Sequence, residues 1–246
     1  MFNGLYIHGE DYSLHECITG PTQTCVVFLN DYMRVVSIKH NNLSSPGIMR
    51  VLILSDSHGR KMGSYLRHLD RHIDVHILSL GQKLPSVRGY YRSELRRIQR
   101  RIPDVVLIHL GHNDLMIHNK HNPDPLFITV VFHQILEFVA EIEHDLPRCK
   151  ILVSTLLPRV PGDILGIFGT GQYNRMAYRF YKMLRSQENQ EGANLTFISN
   201  RARWGRINNS EPLRGYHLAD GLHLNDAGHK VLATGWMRGM SAVVTI

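Results

Sequence analysis

Four short polar clusters hold the residues of this 246-residue chain whose types and spacing could do chemistry: Ser55-Asp56-Ser57-His58-Gly59, the lone Gly81, Gly111-His112-Asn113-Asp114, and Asp220-Gly221-Leu222-His223. The chemistry they suit is acyl transfer. A serine hydroxyl becomes a useful nucleophile only when an imidazole takes its proton, and the imidazole needs an acceptor on its other nitrogen to fix its tautomer. Asp220 and His223, three residues apart on a turn, can present their side chains on one side and supply that pair for Ser57. The oxyanion that develops needs donors in a dry site, each worth about 2.7–4 kcal/mol. Gly81 offers an unobstructed backbone N–H and Asn113 a side-chain amide.

Taken singly, every one of these residues has an ordinary explanation. Ser57 and Asp56 are common helix caps. Gly81, Gly111, Asn113 and Asp114 are common turn formers. His223 is one of 16 histidines, and His58, His112 and His229 have no partner at a diagnostic spacing. What separates the clusters from background is their position at the ends of predicted strands, because ligands of open α/β sheets bind beyond the carboxyl ends of the strands.

From Met49 onward the chain alternates apolar runs with amphipathic stretches. MRVLILS at 49–55, IDVHILSL at 73–80, DVVLIHL at 104–110, KILVSTLL at 150–157 and NLTFIS at 194–199 read as five short buried strands. Between them lie a helical stretch to about Asp70, RSELRRIQRRI at 92–102, a long apolar-periodic helix to about Glu143, and a helix over 172–187. A last helix is predicted to begin at Asn225 or Asp226, either of which can cap its free amides. This rhythm predicts a mostly parallel five-stranded sheet covered on both faces. Residues 49–246 are thus expected to form one catalytic domain. Residues 1–48 stand outside the rhythm as an N-terminal extension, with a β-hairpin suggested by CVVFLNDYMRVVSI and a linker by NNLSSPG at 41–47.

The clusters, in this order, resemble the blocks of the SGNH hydrolases, the GDSL-type esterases and lipases, over about Met49 to Ala242. The first block maps onto SDSHG and the second-block glycine onto Gly81. The third block, G-x-N-D, maps onto GHND, and D-x-x-H maps onto DGLH. The resemblance implies a three-layer α/β/α fold of flavodoxin-like layout and hydrolysis of esters or thioesters. Ser57 would be the nucleophile, Asp220 and His223 its partners, and Ser57, Gly81 and Asn113 the oxyanion donors, with neither metal nor cofactor. One departure is visible, since Ser55 stands where the first block usually has Gly.

Composition admits this reading. With 43% apolar and 20% charged residues the chain is an ordinary globular protein, and its formal charge of +7 favours anionic partners. Cys17, Cys25 and Cys149 show no metal-ligand spacing. No leader-like start or membrane-spanning stretch is present, so a cytoplasmic protein acting on a small-molecule, lipid or acylated-sugar ester is expected. The basic loop of Arg201, Arg203, Trp204 and Arg206, just upstream of Asp220, is a candidate substrate-binding edge. Three rivals compete. Asp56-x-His58 after a strand also looks like the opening motif of calcineurin-like metallophosphoesterases, but no G-D-x-x-D block follows, so a two-metal clamp lacks its bridging carboxylate. Ser55-x-Ser57-x-Gly59 approaches an α/β-hydrolase elbow, yet too few strands precede it. A nonenzymatic nucleic-acid-binding module would use the basic surface, though no such motif occurs.

Overall fold

The computed structural model describes residues 14–18, 23–29, 32–38, 47–79, 83–118, 126–163, 166–188, 196–200 and 211–244. The chain divides into two compact units, Met1–Gly47 with Ile246, and Ile48–Thr245. In the first, strands β1 (Leu14–Ile18), β2 (Gln23–Leu29) and β3 (Tyr32–Ile38) form an antiparallel sheet in that order. The β2–β3 pair is a hairpin whose register runs unbroken from Gln23↔Ile38 to Leu29↔Tyr32.

The second unit is built on β4 (Met49–Ser55), β5 (Ile73–Ser79), β6 (Val105–His109), β7 (Lys150–Ser154) and β8 (Thr196–Ile198). All pairings are parallel, in the order β5-β4-β6-β7-β8. The helices are α1 (Met62–Leu69), α2 (Leu84–Arg100), α3 (His112–His118), α4 (Phe127–Asp145), α5 (Gly166–Glu188) and α6 (Asp226–Val243). Because successive strand residues point to opposite faces, Leu52, Leu54, Val106 and Ile108 pack with α2, α3, α4 and α5. Val51, Ile53, Val105 and Leu107 pack with α1 and α6, around the fully buried Trp236. Three α/β/α layers result.

Helix boundaries depart from the expectation in instructive places. The helix expected over 92–102 begins at Leu84, because Pro85 sits in its first turn, where the missing N–H costs nothing. The helix expected over 172–187 likewise starts earlier, at Gly166. The arginines of α2 and its C-cap are partly engaged in ion pairs, Arg88 and Arg92 with Glu141 of α4 and Arg101 with Asp74. The β7 strand ends at Ser154, beyond which Thr155 N–H donates to the Ile198 carbonyl. Asn225 caps α6 by accepting from Gly228 N–H. Among the described residues no helix is long and apolar enough to cross a membrane.

Candidate active site

The carboxyl ends of β4 and β6 are adjacent, with Ser55 paired to His109. The chain leaving β4 makes a single 3-10 turn, Ser57–Gly59, which Asp56 caps by accepting from His58 N–H at 3.2 Å. The turn is crowded: a Cβ on Gly59 would lie 2.5 Å from the Ser55 Cβ. Gly59 therefore leaves the room that Ser55 occupies in place of the usual glycine. The chain leaving β6 turns through Gly111, at φ +108, into α3. Asn113, half-buried, is the second residue of that helix. The neighbouring Asp114 accepts from Leu84 N–H, the orphan amide at the start of α2, so its role is to anchor that helix.

The Asp220–His223 turn is tightly organised. Asp220 Oδ1 accepts from the Leu222 and His223 amides at 2.8 and 2.9 Å, and Oδ2 lies 2.6 Å from His223 Nδ1. Burial pushes the Asp220 carboxyl up, but its bonds with His223 and Leu222 outweigh burial and leave it below its ordinary value. It is ionised at neutral pH and selects the His223 tautomer with a proton on Nδ1. The loop after β7 is laid directly against this turn. Gly221 (φ +70) accepts at its carbonyl from Val160 N–H, and a Cβ on Gly162 would lie 2.4 Å from the Asp220 carbonyl carbon. Arg159, 3% exposed, reaches across to donate from Nη1 to the Leu222 carbonyl.

Ser57 and His223 line one open cavity of about 220 Å³, with Arg60, Lys61, Leu218 and His229 around it. The Ser57 hydroxyl and His223 Nε2 have no hydrogen-bond partner among the described residues. Gly81 and the loop residues Arg201, Arg203, Trp204 and Arg206 lie outside the described residues, and Asn113 is not among those lining this cavity.

Behind the Ser57 turn lies a cluster that reading the sequence left unassigned. Asp56, His58, His109 and His112 are all buried, and one ligand atom from each lies within 4.8 Å of the others. Hydrogen-bond accounting decides what this set can do. The Ser154 hydroxyl accepts from Trp236 Nε1 and Asn200 Nδ2, so its own proton goes to His109 Nδ1 and the His109 proton sits on Nε2. His112 Nε2 accepts from Leu157 N–H, so its proton sits on Nδ1, 2.9 Å from Asp56 Oδ2. Both rings thus turn N–H groups inward, where a metal needs lone pairs. The set suits a buried carboxylate better than a cation. Burial lowers His109 well below the usual imidazole range, and lowers His112 to about 4 against the opposing pull of Asp56; both are neutral. Burial pushes Asp56 up, but His112 and His58 outweigh it and hold the carboxyl well below its ordinary value. The signal that could have located the cluster was present in the Asp56-x-His58 pattern and the histidine of GHND, once their strands are known to be neighbours.

This arrangement predicts loss of stability on mild acidification. His112 binds its proton at about 4 when folded and near 6.5 when unfolded, so between those values the unfolded chain holds more protons. Its contribution is complete above about pH 6.5 and is lost as pH falls toward 4, up to about 3 kcal/mol. Asp56, depressed when folded, adds a loss at still lower pH. Urea midpoints should fall from pH 7.5 to pH 5; equal midpoints would contradict the neutral burial of His112.

The comparisons with known proteins agree with this architecture. No curated protein matches the chain significantly. Among solved structures, the chain is similar to an acetyl xylan esterase (TM-score 0.56, 16% identity, covering 80% of this chain and 100% of that one). It is also similar to a GDSL-like lipase from Bacteroides thetaiotaomicron (TM-score 0.58, 13% identity, 79% and 89% covered). A third is a catalytic mutant of an acetylxylan esterase from Geobacillus stearothermophilus (TM-score 0.51, 16% identity, 79% and 94% covered). At these identities the likeness shows a shared fold. The model of the GDSL-like lipase/acylhydrolase family matches residues 56–231, well over half of the chain and spanning the Ser57, GHND and Asp220–His223 clusters, and the chain belongs to that family.

Proposed function

We propose that this chain is a metal-independent serine esterase that hydrolyses carboxylic or thio esters through an acyl-enzyme. Ser57 attacks the ester carbonyl, His223 takes its proton and returns it to the leaving group, and Asp220 holds and stabilises the imidazolium. The Ser57 and Gly81 amides with the Asn113 side chain receive the oxyanion. The observation that carries this reading is the 2.6 Å Asp220–His223 contact on a turn whose histidine lines the same cavity as Ser57. Open apo geometry between nucleophile and base is usual, because such bonds tighten with substrate bound. The experiment is reaction with an organophosphonate, followed by peptide mapping and a screen of acyl chain lengths with and without a chelator. Labelling of Ser57 and chelator-insensitive turnover are expected; no labelling, or activity lost to the chelator, contradicts the proposal.

Asn113→Ala is expected to lower kcat by roughly 10²–10³-fold with KM little changed. A change confined to KM would make Asn113 a ground-state contact instead.

Arg60 and Lys61 at the cavity, with the +7 charge of the chain, support a short-chain ester bearing a negative group. A small acyl group suits the cavity volume, and the acetyl xylan esterases among the structural relatives make an acylated sugar one form to test. Replacing both cations by Gln should raise KM for an anionic ester and spare a neutral one of equal size; equal effects on both would remove the preference. Arg201, Arg203, Trp204 and Arg206 are retained as a proposed outer edge for the same charge, to be tested by the same pair of esters.

A further inference from the structure

The Asp56–His58 pair is buried, ionisable and unused by the proposed reaction, yet it touches the base-bearing turn. His58 Nδ1 lies 2.9 Å from Asp56 Oδ1, and His58 Nε2 lies 3.2 Å from the Leu222 carbonyl oxygen, 164 residues away in sequence. A carbonyl only accepts, so the His58 Nε2 that faces Leu222 donates to it, while Nδ1 faces the Asp56 carboxylate. The neighbouring rings of His109 and His112, at 5.6 and 4.6 Å, are neutral, and Arg159 shares the same carbonyl. Burial lowers both His217 and His229.

The Leu222 carbonyl belongs to the same planar peptide unit as the His223 N–H. That unit is therefore gripped from both sides. Its carbonyl end accepts from His58 and Arg159, and its N–H end donates to Asp220 Oδ1 at 2.9 Å. Rotation of this unit would swing the Cα–Cβ bond of His223, so its grip sets where the imidazole points. We propose that His58, anchored by Asp56, is a positioning residue that aims His223 at Ser57 by holding the Leu222–His223 peptide; this rests on His223 being the base. The link also connects the two halves of the site directly, since His58 follows the nucleophile in the chain. Misplacement of a reacting group by about 1 Å can cost roughly a hundredfold in rate.

The test compares wild type with His58→Leu, which removes both donors, and His58→Gln, which keeps one at similar reach. His58→Leu should lower kcat roughly a hundredfold with KM little changed, and weaken the low-field proton resonance of the His223 Nδ1–Asp220 bond. His58→Gln should recover part of both. Should the leucine variant fail to fold, the wild type still decides: ¹⁵N-histidine spectra at pH 7 should show a proton on His58 Nε2. An unprotonated Nε2 overturns the proposal, as does a folded leucine variant with wild-type kcat. If wild type itself neither turns over esters nor reacts with the phosphonate, the esterase reading fails, whereas the Nε2 proton of His58 still reports the clamp.

Discussion

Ser57→Ala is expected to abolish hydrolysis of short activated esters, with kcat falling by roughly 10⁴–10⁶-fold, while the unfolding midpoint stays near that of wild type. The hydroxyl is only half-buried at the cavity wall and has no hydrogen-bond partner among the described residues, so its removal leaves packing and polar satisfaction almost intact. What is lost is the attacking atom. His223→Ala should fall to a similar level, and the double variant little further, because residues that act as one unit do not contribute additively. Asp220→Ala should retain more activity, since it removes the group that orients the imidazole but leaves the imidazole itself. It should also loosen the turn, because Asp220 accepts two backbone amides as well as the ring. Measurement of single-turnover rates and urea midpoints on the four variants separates these effects. Wild-type turnover in the Ser57 variant would sink the proposed mechanism outright.

The second large effect is on stability. Asp56→Asn should destabilise the fold by about 3–5 kcal/mol, a large part of the margin of an ordinary domain. The carboxylate is 1% exposed, accepts from the His58 backbone and ring at Oδ1, and faces His112 across 2.9 Å at Oδ2. An amide can replace one acceptor but turns an NH₂ group toward an imidazole whose own proton already points inward. The His58 ring would also lose the carboxylate that it faces at 2.9 Å. Chemical denaturation at pH 7.5 reads the loss. A change below about 1 kcal/mol, the range of a surface pair, would show that the cluster is held by packing alone.

Much of the catalytic unit was legible in the residues themselves. The strand at 49–55 was plain because seven residues of mostly branched apolar character are bounded by a polar turn. A cap at Asn225 or Asp226 was recognisable because both precede an apolar-periodic run, and the structure has Asn225 in that place. The Asp220–His223 pairing was legible because spacing alone puts both groups on one turn. Helix α2 was expected only over 92–102, where the apolar residues share one face, although a proline in the first turn satisfies the backbone as well as any residue and the helix starts at Leu84. The buried histidine cluster was beyond reach for a different reason. It depends on β4 lying beside β6, with Ser55 opposite His109. Strand order is a property of the whole sheet, and no local pattern around Asp56 or His112 encodes it. The clamp on Leu222 is further removed still, since its two ends are 164 residues apart.

The crowding at the start of the Ser57 turn bears on which sequences can share this backbone. Ser55 Oγ and the position of a Cβ on Gly59 are only 2.7 Å apart, so the two residues occupy one volume between them. Serine at 55 therefore obliges glycine at 59, and a chain with glycine at 55 is released to carry a side chain at 59. The two positions are exchangeable only as a pair. Related sequences should trade bulk from one to the other across Ser57, and a single change at either site meets a barrier that the concerted change does not.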